Sequence, residues 1–180
     1  MPRAQQLLSV AALIPLAPTF QAAGQLAERA SERAAARPMA VFPVRGRVDW
    51  GEHDARFGAY RGGHMHEGQD MFAAAGTPLV AIRDGRVVET GDDGGRGNYI
   101  AIWSREARRT YVYLHMLHPA RLAPGDSVRM GQRVGAVGCT GSCWGDHLHL
   151  EVRRGRGATG VPHDPLGMLK RLAARQRARE

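Results

Sequence analysis

Short runs in which apolar and polar residues alternate dominate the chain from Leu79 onward. Alternation at period two is typical of β-strands, because successive side chains point to opposite faces. The runs are PLVAIRDGRVVETG, NYIAIW, TYVYLH, LAPGDSVRMGQRVGAVG and DHLHLEV. Asp84-Gly85 inside the first run predicts a hairpin turn. Gly and Pro separate the runs and no long helical pattern lies between them, so we predict a mostly β fold: an antiparallel β-sandwich or open barrel of short strands, with a C-terminal helix.

The N-terminal part of the chain has a different pattern. Residues 1–24 begin with a weakly basic segment containing Arg3 and continue with an apolar stretch over residues 7–18. This stretch is shorter than the ~20 residues that span a bilayer but suits an export signal, although no clear cleavage site follows. Residues 25–40 are rich in Ala and Arg and predict a linker or helix. We therefore expect an exported protein of the cell envelope, periplasm or extracellular space.

The C-terminal part carries most of the positive charge. We expect one domain over residues 41–166 and a basic helical tail over 167–180, with Asp164 suited to start the helix. The net charge of +8 would suit a nucleic-acid binder, but residues 41–152 hold 13 basic and 13 acidic side chains, whereas 153–180 hold 8 basic and 2 acidic ones. This distribution argues against specific nucleic-acid recognition. It favours attraction of the tail to an anionic wall polymer or membrane surface, with a merely solvated helix as the alternative.

The length of the chain and its cysteine content further narrow the class of protein. A chain of 180 residues with 43% hydrophobic residues suits one globular domain and tails, and we expect a monomer. Its two cysteines, Cys139 and Cys143, lie four residues apart. In an exported protein such a pair favours a disulfide, whereas in a cytosolic one it would favour metal binding or redox chemistry.

The run DHLHLEV contains the first candidate chemistry. His147, His149 and Glu151 share one face of the predicted strand, and the alternate leucine and valine positions share the other. Two neighbouring imidazoles repel each other when both are charged, and a metal ion relieves this because it binds neutral imidazole. An amphipathic strand with its polar face in water is the alternative.

Two other segments add candidate ligands. The segment HEGQD places His66 and Asp70 four residues apart around a glycine, so a turn would have to aim them at one point. The segment YVYLH places Tyr111, Tyr113 and His115 on one predicted strand face, where a buried structural histidine is the alternative reading. A catalytic zinc site uses three protein ligands and keeps one open position. Together the segments therefore offer enough donors for such a site, and the spare histidines could act on water or on a developing oxyanion.

The order H-x-x-x-D, Y-x-H and H-x-H closely resembles the lysostaphin/LytM-type zinc metallopeptidases, which cut peptidoglycan cross-bridges. The resemblance extends over roughly residues 42–169, in the blocks FPVRG, HEGQDMFAAAGTPLVAIRDGRVV, GGRGNYIAIW, YVYLHM, APGDSVRMGQRVGAVGCTGSCWGDHLHLEVRR and DPLGML. It implies one Zn²⁺ per chain, peptidoglycan as the partner and substrate, and hydrolysis of peptide cross-links or stem peptides.

The resemblance also implies a role for each motif residue. His66, Asp70 and His149 match the zinc ligands of the family, and His115 and His147 match its two catalytic histidines. Because all five positions are filled, the resemblance favours an enzyme over the alternative, a non-catalytic wall-binding or hydrolase-activating module of the same fold. His64 could compete with His66 as a ligand, but only His66 has an aspartate four residues on and the HEG context. His53, His118 and His163 match no motif element.

The chain departs from the family pattern beside the H-x-H motif. Cys139, Cys143 and Trp144 stand where many relatives carry small residues, and Asp146 stands where many carry proline. We expect the cysteines to clip the loop that enters the strand. Trp144, Asp146 and Tyr113 are our candidates for the substrate groove. A lipoyl- or biotinyl-type carrier, which some of the hairpin-like segments also resemble, needs a lysine on an exposed hairpin, and the chain's lysine lies in the terminal helix.

Overall fold

The computed structural model describes residues 23–25 and 39–179, and residues 39–179 belong to one compact unit. The predicted export segment 1–24 and linker 25–40 therefore lie outside the described residues, except at 23–25 and 39–40. Among the described helices, none has the length and apolar character needed to cross a membrane.

Short strands are the main regular elements of the described unit. A 3₁₀ helix spans His53–Ala55 and one α-helix, α1, spans Leu166–Arg177. The strands are β1 Gln69–Phe72, β2 Pro78–Val80, β3 Gly85–Asp93, β4 Gly97–Ser104, β5 Arg109–Met116, β6 Ser127–Val128, β7 Arg133–Ala136, β8 His147–Arg154 and β9 Pro162–His163.

The strands form two antiparallel sheets. The larger, open sheet has the order β1-β8-β5-β4-β3-β6, with β9 also pairing with β8, and the smaller sheet pairs β2 with β7. The prediction of a mostly β, antiparallel fold of short strands with a C-terminal helix is thus confirmed.

The predicted hairpin at Asp84-Gly85 is wrong. Strand β2 before it pairs with β7, and β3 after it pairs with β4 and β6, so the turn connects two sheets. The Asp84 carboxylate accepts a hydrogen bond from the Met130 backbone N–H at 2.6 Å. A turn signal in sequence specifies the local bend, but it does not specify which strands pair on either side of it.

Strand β8 separates the core from the candidate site. Leu148, Leu150 and Val152 point into the main hydrophobic core, which the two sheets and α1 enclose. Alternation then turns His147 and His149 to the opposite face, where a smaller apolar cluster lies.

Helix α1 contributes to the main core through one face. Leu169, Leu172 and Ala173 are buried there, while its basic side chains are exposed on the other face. The Asp164 carboxylate accepts a hydrogen bond from the Leu166 N–H at 2.8 Å, which satisfies one free donor at the helix start. Removing the terminal residues would therefore remove core side chains together with the charge.

Strand β5 does not keep the strict alternation that its sequence predicts. Tyr113 is fully buried in the main core, and its hydroxyl accepts from the Ile82 N–H at 3.0 Å and donates to the Val80 carbonyl at 3.1 Å. Tyr113 is therefore a core residue, and its prediction as a groove residue is wrong. His115 has a left-handed backbone, with φ of 59°, beside a register shift between β4 and β5. This irregularity turns His115 to the face that Tyr113 does not share.

Candidate metal centre

The pairing of β1 with β8 brings the distant segments of the site together. Asp70 lies directly opposite His149, and Phe72 lies opposite His147. Directly opposed residues on antiparallel strands project to the same face, so Asp70 meets the H-x-H side chains there. His66 reaches the same point from the loop before β1.

His66, Asp70 and His149 form a compact, buried donor cluster. His66 Nε2 lies 3.1 Å from Asp70 Oδ1 and 2.9 Å from His149 Nδ1. His149 Nδ1 lies 2.8 Å from the same Asp70 oxygen. Two nitrogens and one carboxylate oxygen therefore point at one small volume, and in the described part of the chain these three residues are the group that could hold a metal ion.

The outer hydrogen bonds of the two histidines orient their inner nitrogens. His66 Nδ1 donates to the Arg56 carbonyl oxygen at 2.8 Å, and His149 Nε2 lies 3.2 Å from Glu151 Oε1. Neither a carbonyl nor an ionised carboxylate can donate, so both outer nitrogens carry the proton. His66 Nε2 and His149 Nδ1 are left as the nitrogens that can bind a cation, which is the arrangement typical of metal-ligating histidines.

Arg61 holds the second oxygen of Asp70. Its guanidinium lies 2.5 Å from Asp70 Oδ2 and also donates to the Asp54 carbonyl oxygen at 2.7 Å. Asp70 therefore turns only Oδ1 toward His66 and His149. Nothing in the sequence pattern around Arg61 distinguishes it from other loop arginines, so sequence reasoning missed it.

A chain of charged groups extends behind His149. Glu151 Oε2 accepts from Arg153 Nε at 2.6 Å, and another Arg153 nitrogen lies 2.5 Å from Glu67 Oε2. Arg153 also donates to the Gly160 carbonyl at 2.9 Å, so every member has a partner. The network fixes the Glu151 carboxylate, and the carboxylate in turn fixes the His149 ring.

The two other predicted histidines lie beside the donor cluster. The His147 ring lies 4.9 Å from the His115 ring, and His115 lies 5.9 Å from the His149 ring, measured between centroids. His147 Nε2 is 3.6 Å from Asp70 Oδ1, so it is close to the ligand atoms. All five motif residues of the sequence prediction therefore come together at one place.

Cys139 and Cys143 are joined by a disulfide, with 5.4 Å between their Cα atoms. Backbone carbonyls in the loop that they close, and two residues after it, support both of these histidines. His115 Nδ1 donates to the Thr140 carbonyl at 2.8 Å, and His147 Nδ1 donates to the Gly145 carbonyl at 2.7 Å. The Nε2 lone pair of each ring is thereby directed away from the loop.

The electrostatics of the cluster favour positive charge at its centre. Burial opposes ionisation of Asp70, but hydrogen bonds from His149 and His66 outweigh it and hold the pKa of Asp70 well below its ordinary value. Burial likewise lowers the pKa of His149, yet the hydrogen bonds with Asp70 and Glu151 raise it overall. The same carboxylates stabilise either a proton on His149 Nδ1 or a metal ion bound to that atom, and the two exclude each other.

Burial keeps the other two histidines neutral. It lowers the pKa of His115 to about 4 and also lowers that of His147. Both rings are therefore neutral imidazoles near neutral pH, each with a free Nε2 lone pair.

The remaining groove candidates are accessible. Trp144 is 93% exposed immediately after the disulfide-closed loop, and Asp146 is exposed immediately before β8. Both lie in the segment that carries the supports of His115 and His147. Their contact with a substrate stays a prediction.

Residues 64–165, more than half of the chain, match the model of Peptidase family M23. The chain belongs to this family. The M23 match begins just before His66 and ends after β9, so it contains all five clustered residues.

Individual relatives within M23 agree with this assignment. The glycyl-glycine endopeptidase ALE-1 of Staphylococcus capitis is 35% identical over 109 residues, which are 60% of this chain and 30% of that protein. The peptidoglycan DD-endopeptidase ShyC of Vibrio cholerae is 39% identical over 88 residues, which are 48% of this chain and 19% of that protein. The chain thus spans less than a third of either relative.

A solved M23 structure shares the fold. The catalytic domain of lysostaphin from Staphylococcus simulans superposes with a TM-score of 0.58 at 34% identity, covering 64% of this chain and 89% of that domain.

Proposed function

We propose that the chain is an exported, zinc-dependent endopeptidase that hydrolyses peptide cross-links or stem peptides of bacterial peptidoglycan. The observation that carries the proposal is the buried His66–Asp70–His149 cluster with two neutral histidines beside it. The family assignment and the endopeptidase activities of ALE-1 and ShyC support the reaction class.

The donor set fits zinc. Two imidazole nitrogens and one carboxylate oxygen are ligands that zinc prefers, and three protein ligands leave a position open, as in catalytic zinc sites. Oriented outer hydrogen bonds and the charge of Asp70 suit a cation at this point. His66, Asp70 and His149 would hold the ion, which would supply Lewis acidity: it would polarise a carbonyl oxygen and lower the pKa of a bound water to about 7.

His115 and His147 supply proton transfer in this proposal. Each neutral ring donates Nδ1–H to a loop carbonyl and therefore presents an accepting Nε2. One ring takes the proton of the attacking water and becomes an imidazolium. Only then can it donate through Nε2, either to the oxyanion or to the leaving amine. His147 lies nearer the ligand atoms, with Nε2 3.6 Å from Asp70 Oδ1.

Digestion of defined muropeptides tests the proposal. The protein is stripped with a chelator, reloaded with zinc and incubated with purified cross-linked muropeptides, and mass spectrometry identifies the released fragments. We expect cleavage of a peptide bond only in the reloaded sample, and the fragment masses identify the bond. A zinc-loaded protein that binds muropeptides without cleaving them would instead support the non-catalytic wall-binding module.

A further inference from the structure

The end of the large sheet opposite the metal centre is strongly basic. Arg154 lies five residues beyond His149 on β8, which corresponds to roughly 17 Å along a strand. The ends of β3, β4, β5 and β8 and their turns carry six arginines: Arg86, Arg105, Arg108, Arg109, Arg154 and Arg156. The same segments carry two acidic residues, Asp84 and Glu106.

Two of these arginines face each other across neighbouring strands. The register of β5 and β8 places Arg109 directly opposite Arg154. Like charges in directly opposed positions destabilise a strand pair. In residues 39–179 no acidic side chain lies within ion-pair distance of either guanidinium. An anion placed between them would remove this repulsion.

An open cavity lies at the same end of the sheet. Its volume is about 930 Å³. Its lining includes Trp103, three arginines and two carboxylates: Arg86, Arg105, Arg156, Asp84 and Glu106. Within the described ranges, Arg105 and Arg156 have no ion-pair partner, and Glu106 is 3.4 Å from Arg83. The cavity therefore combines a half-buried indole with two guanidinium groups, those of Arg105 and Arg156, that have no acidic partner among the described residues, whereas Arg86 donates to the Gly125 carbonyl.

The chemistry of the cavity indicates its ligand. A guanidinium binds a carboxylate with two parallel hydrogen bonds, and an indole offers a broad apolar face and one N–H donor. The cavity is shallow and open to solvent, so an extended polymer segment can lie across it.

We propose that this arginine-rich end of the sheet is a second binding site for the cell-wall polymer, which holds a carboxylate-bearing glycopeptide segment against Trp103. This inference rests on the proposed function. The site would keep the enzyme on insoluble substrate while the metal centre cleaves elsewhere, so it raises the local concentration of cleavable bonds. Small soluble muropeptides would not need it.

Co-sedimentation with purified insoluble peptidoglycan at low salt tests the site. All proteins carry His115→Ala, so that the polymer stays intact. The test variant is Arg105→Ala with Arg156→Ala. The matched control is Arg47→Ala with Arg133→Ala, which removes two exposed arginines outside both this end of the sheet and the basic tail. We expect the affinity of the test variant for peptidoglycan to be lower than that of the control by about fivefold or more. Equal binding by the two, or equal loss in both, would overturn the proposal.

Trp103→Ala tests the second binding site without changing its charge. This variant should also sediment less with peptidoglycan. Its thermal unfolding midpoint is measured to confirm that it is folded. If a folded Trp103→Ala protein sediments with peptidoglycan as the parent protein does, the proposed contact between the glycopeptide segment and Trp103 is contradicted.

Two further measurements separate the possible failures. In the active background, Arg105→Ala with Arg156→Ala should cleave a soluble muropeptide at the wild-type rate. If the wild type cleaves nothing, the proposed function fails; if it cleaves but sedimentation is unaffected, only the second site fails. Vesicles containing phosphatidylglycerol test the other anionic partner. If Arg105→Ala with Arg156→Ala loses vesicle binding but binds peptidoglycan as well as the control does, the arginines bind phosphate groups and the proposal is contradicted.

Discussion

His149 Nε2 lies 3.2 Å from Glu151 Oε1, on the side of the ring away from Asp70. This hydrogen bond fixes which nitrogen of His149 faces the metal centre. Replacing the carboxylate by an amide in Glu151→Gln removes the negative charge while keeping the shape. We expect the affinity for zinc to fall about 10–100-fold, the usual effect of losing such a partner. Competition with a chromophoric chelator measures it.

Glu52→Gln is the matched control for this change. Glu52 is exposed and lies outside the ligand network, so its zinc affinity should equal that of the wild type. Equal affinity of Glu151→Gln and Glu52→Gln would show that the Glu151 carboxylate does not orient His149.

The His149 ring occupies the space in which a side chain at position 68 would lie. A methyl group there would lie 2.6 Å from His149 Nε2 and 2.6 Å from the Leu150 carbonyl oxygen. Gly68→Ala should therefore displace the ring and lower both the bound metal and the activity. Gly94→Ala is the control, since a methyl group at Gly94 meets nothing within 4 Å. Elemental analysis of both purified variants checks the prediction, and full metal content in folded Gly68→Ala would contradict it.

The disulfide should matter for catalysis more than for metal binding. The Cys139–Cys143 loop supplies the Thr140 carbonyl that orients His115. The Gly145 carbonyl that orients His147 lies two residues beyond the loop, and the Gly145 N–H lies 3.2 Å from Cys139 Sγ. None of the three donor atoms of the candidate metal centre comes from this segment. Reduction should therefore lower kcat while zinc stays bound. In the variant with both cysteines changed to serine, activity should be low from the start and insensitive to reductant. A reductant effect of the same size in that variant would show that the disulfide is not its cause.

Tyr113 should make the fold sensitive to alkaline pH. Burial raises the pKa of its hydroxyl more than the hydrogen bond from Ile82 lowers it, so the folded-state pKa lies above the ordinary value. An unfolded tyrosine loses its proton near pH 10, whereas the folded one keeps it. The unfolded state then binds fewer protons, so the free energy of unfolding falls as pH rises above about 10.

Tyr113→Phe isolates this contribution. At neutral pH the variant should lose about 1–3 kcal/mol of stability, because the buried Ile82 N–H loses its acceptor. Above pH 10 its stability should fall less steeply than that of the wild type. Tyr60→Phe, at a 72% exposed position, should change neither. Urea unfolding at several pH values measures both, and parallel pH slopes for wild type and Tyr113→Phe would contradict the assignment.

The sequence predicted the elements of the fold better than their pairing. Alternation in DHLHLEV placed His147 and His149 on one face correctly, because β8 is regular and its leucines face the core. The same rule failed in β5, where the left-handed backbone of His115 reverses the face. A single backbone irregularity of this kind leaves no mark in an apolar–polar pattern.

The donor cluster was predictable because its members are residue types with metal chemistry in the order of a known family. Residue type alone did not decide between His147 and His149 as the third donor. The supports of the cluster were not predictable, since Arg61, Arg153 and the Thr140 carbonyl act through contacts between distant segments. Arginines and backbone carbonyls occur throughout the chain, so only the folded arrangement distinguishes these.

The most direct measurement compares bound zinc and muropeptide cleavage in His149→Ala and His115→Ala, with His53→Ala as an exposed control. His149→Ala should lose both metal and activity, because it removes a ligand atom. His115→Ala should keep zinc near the wild-type content and lose activity, because His115 lies beside the ligands without being one. Activity surviving in His149→Ala, or zinc lost from folded His115→Ala, would contradict the assignment.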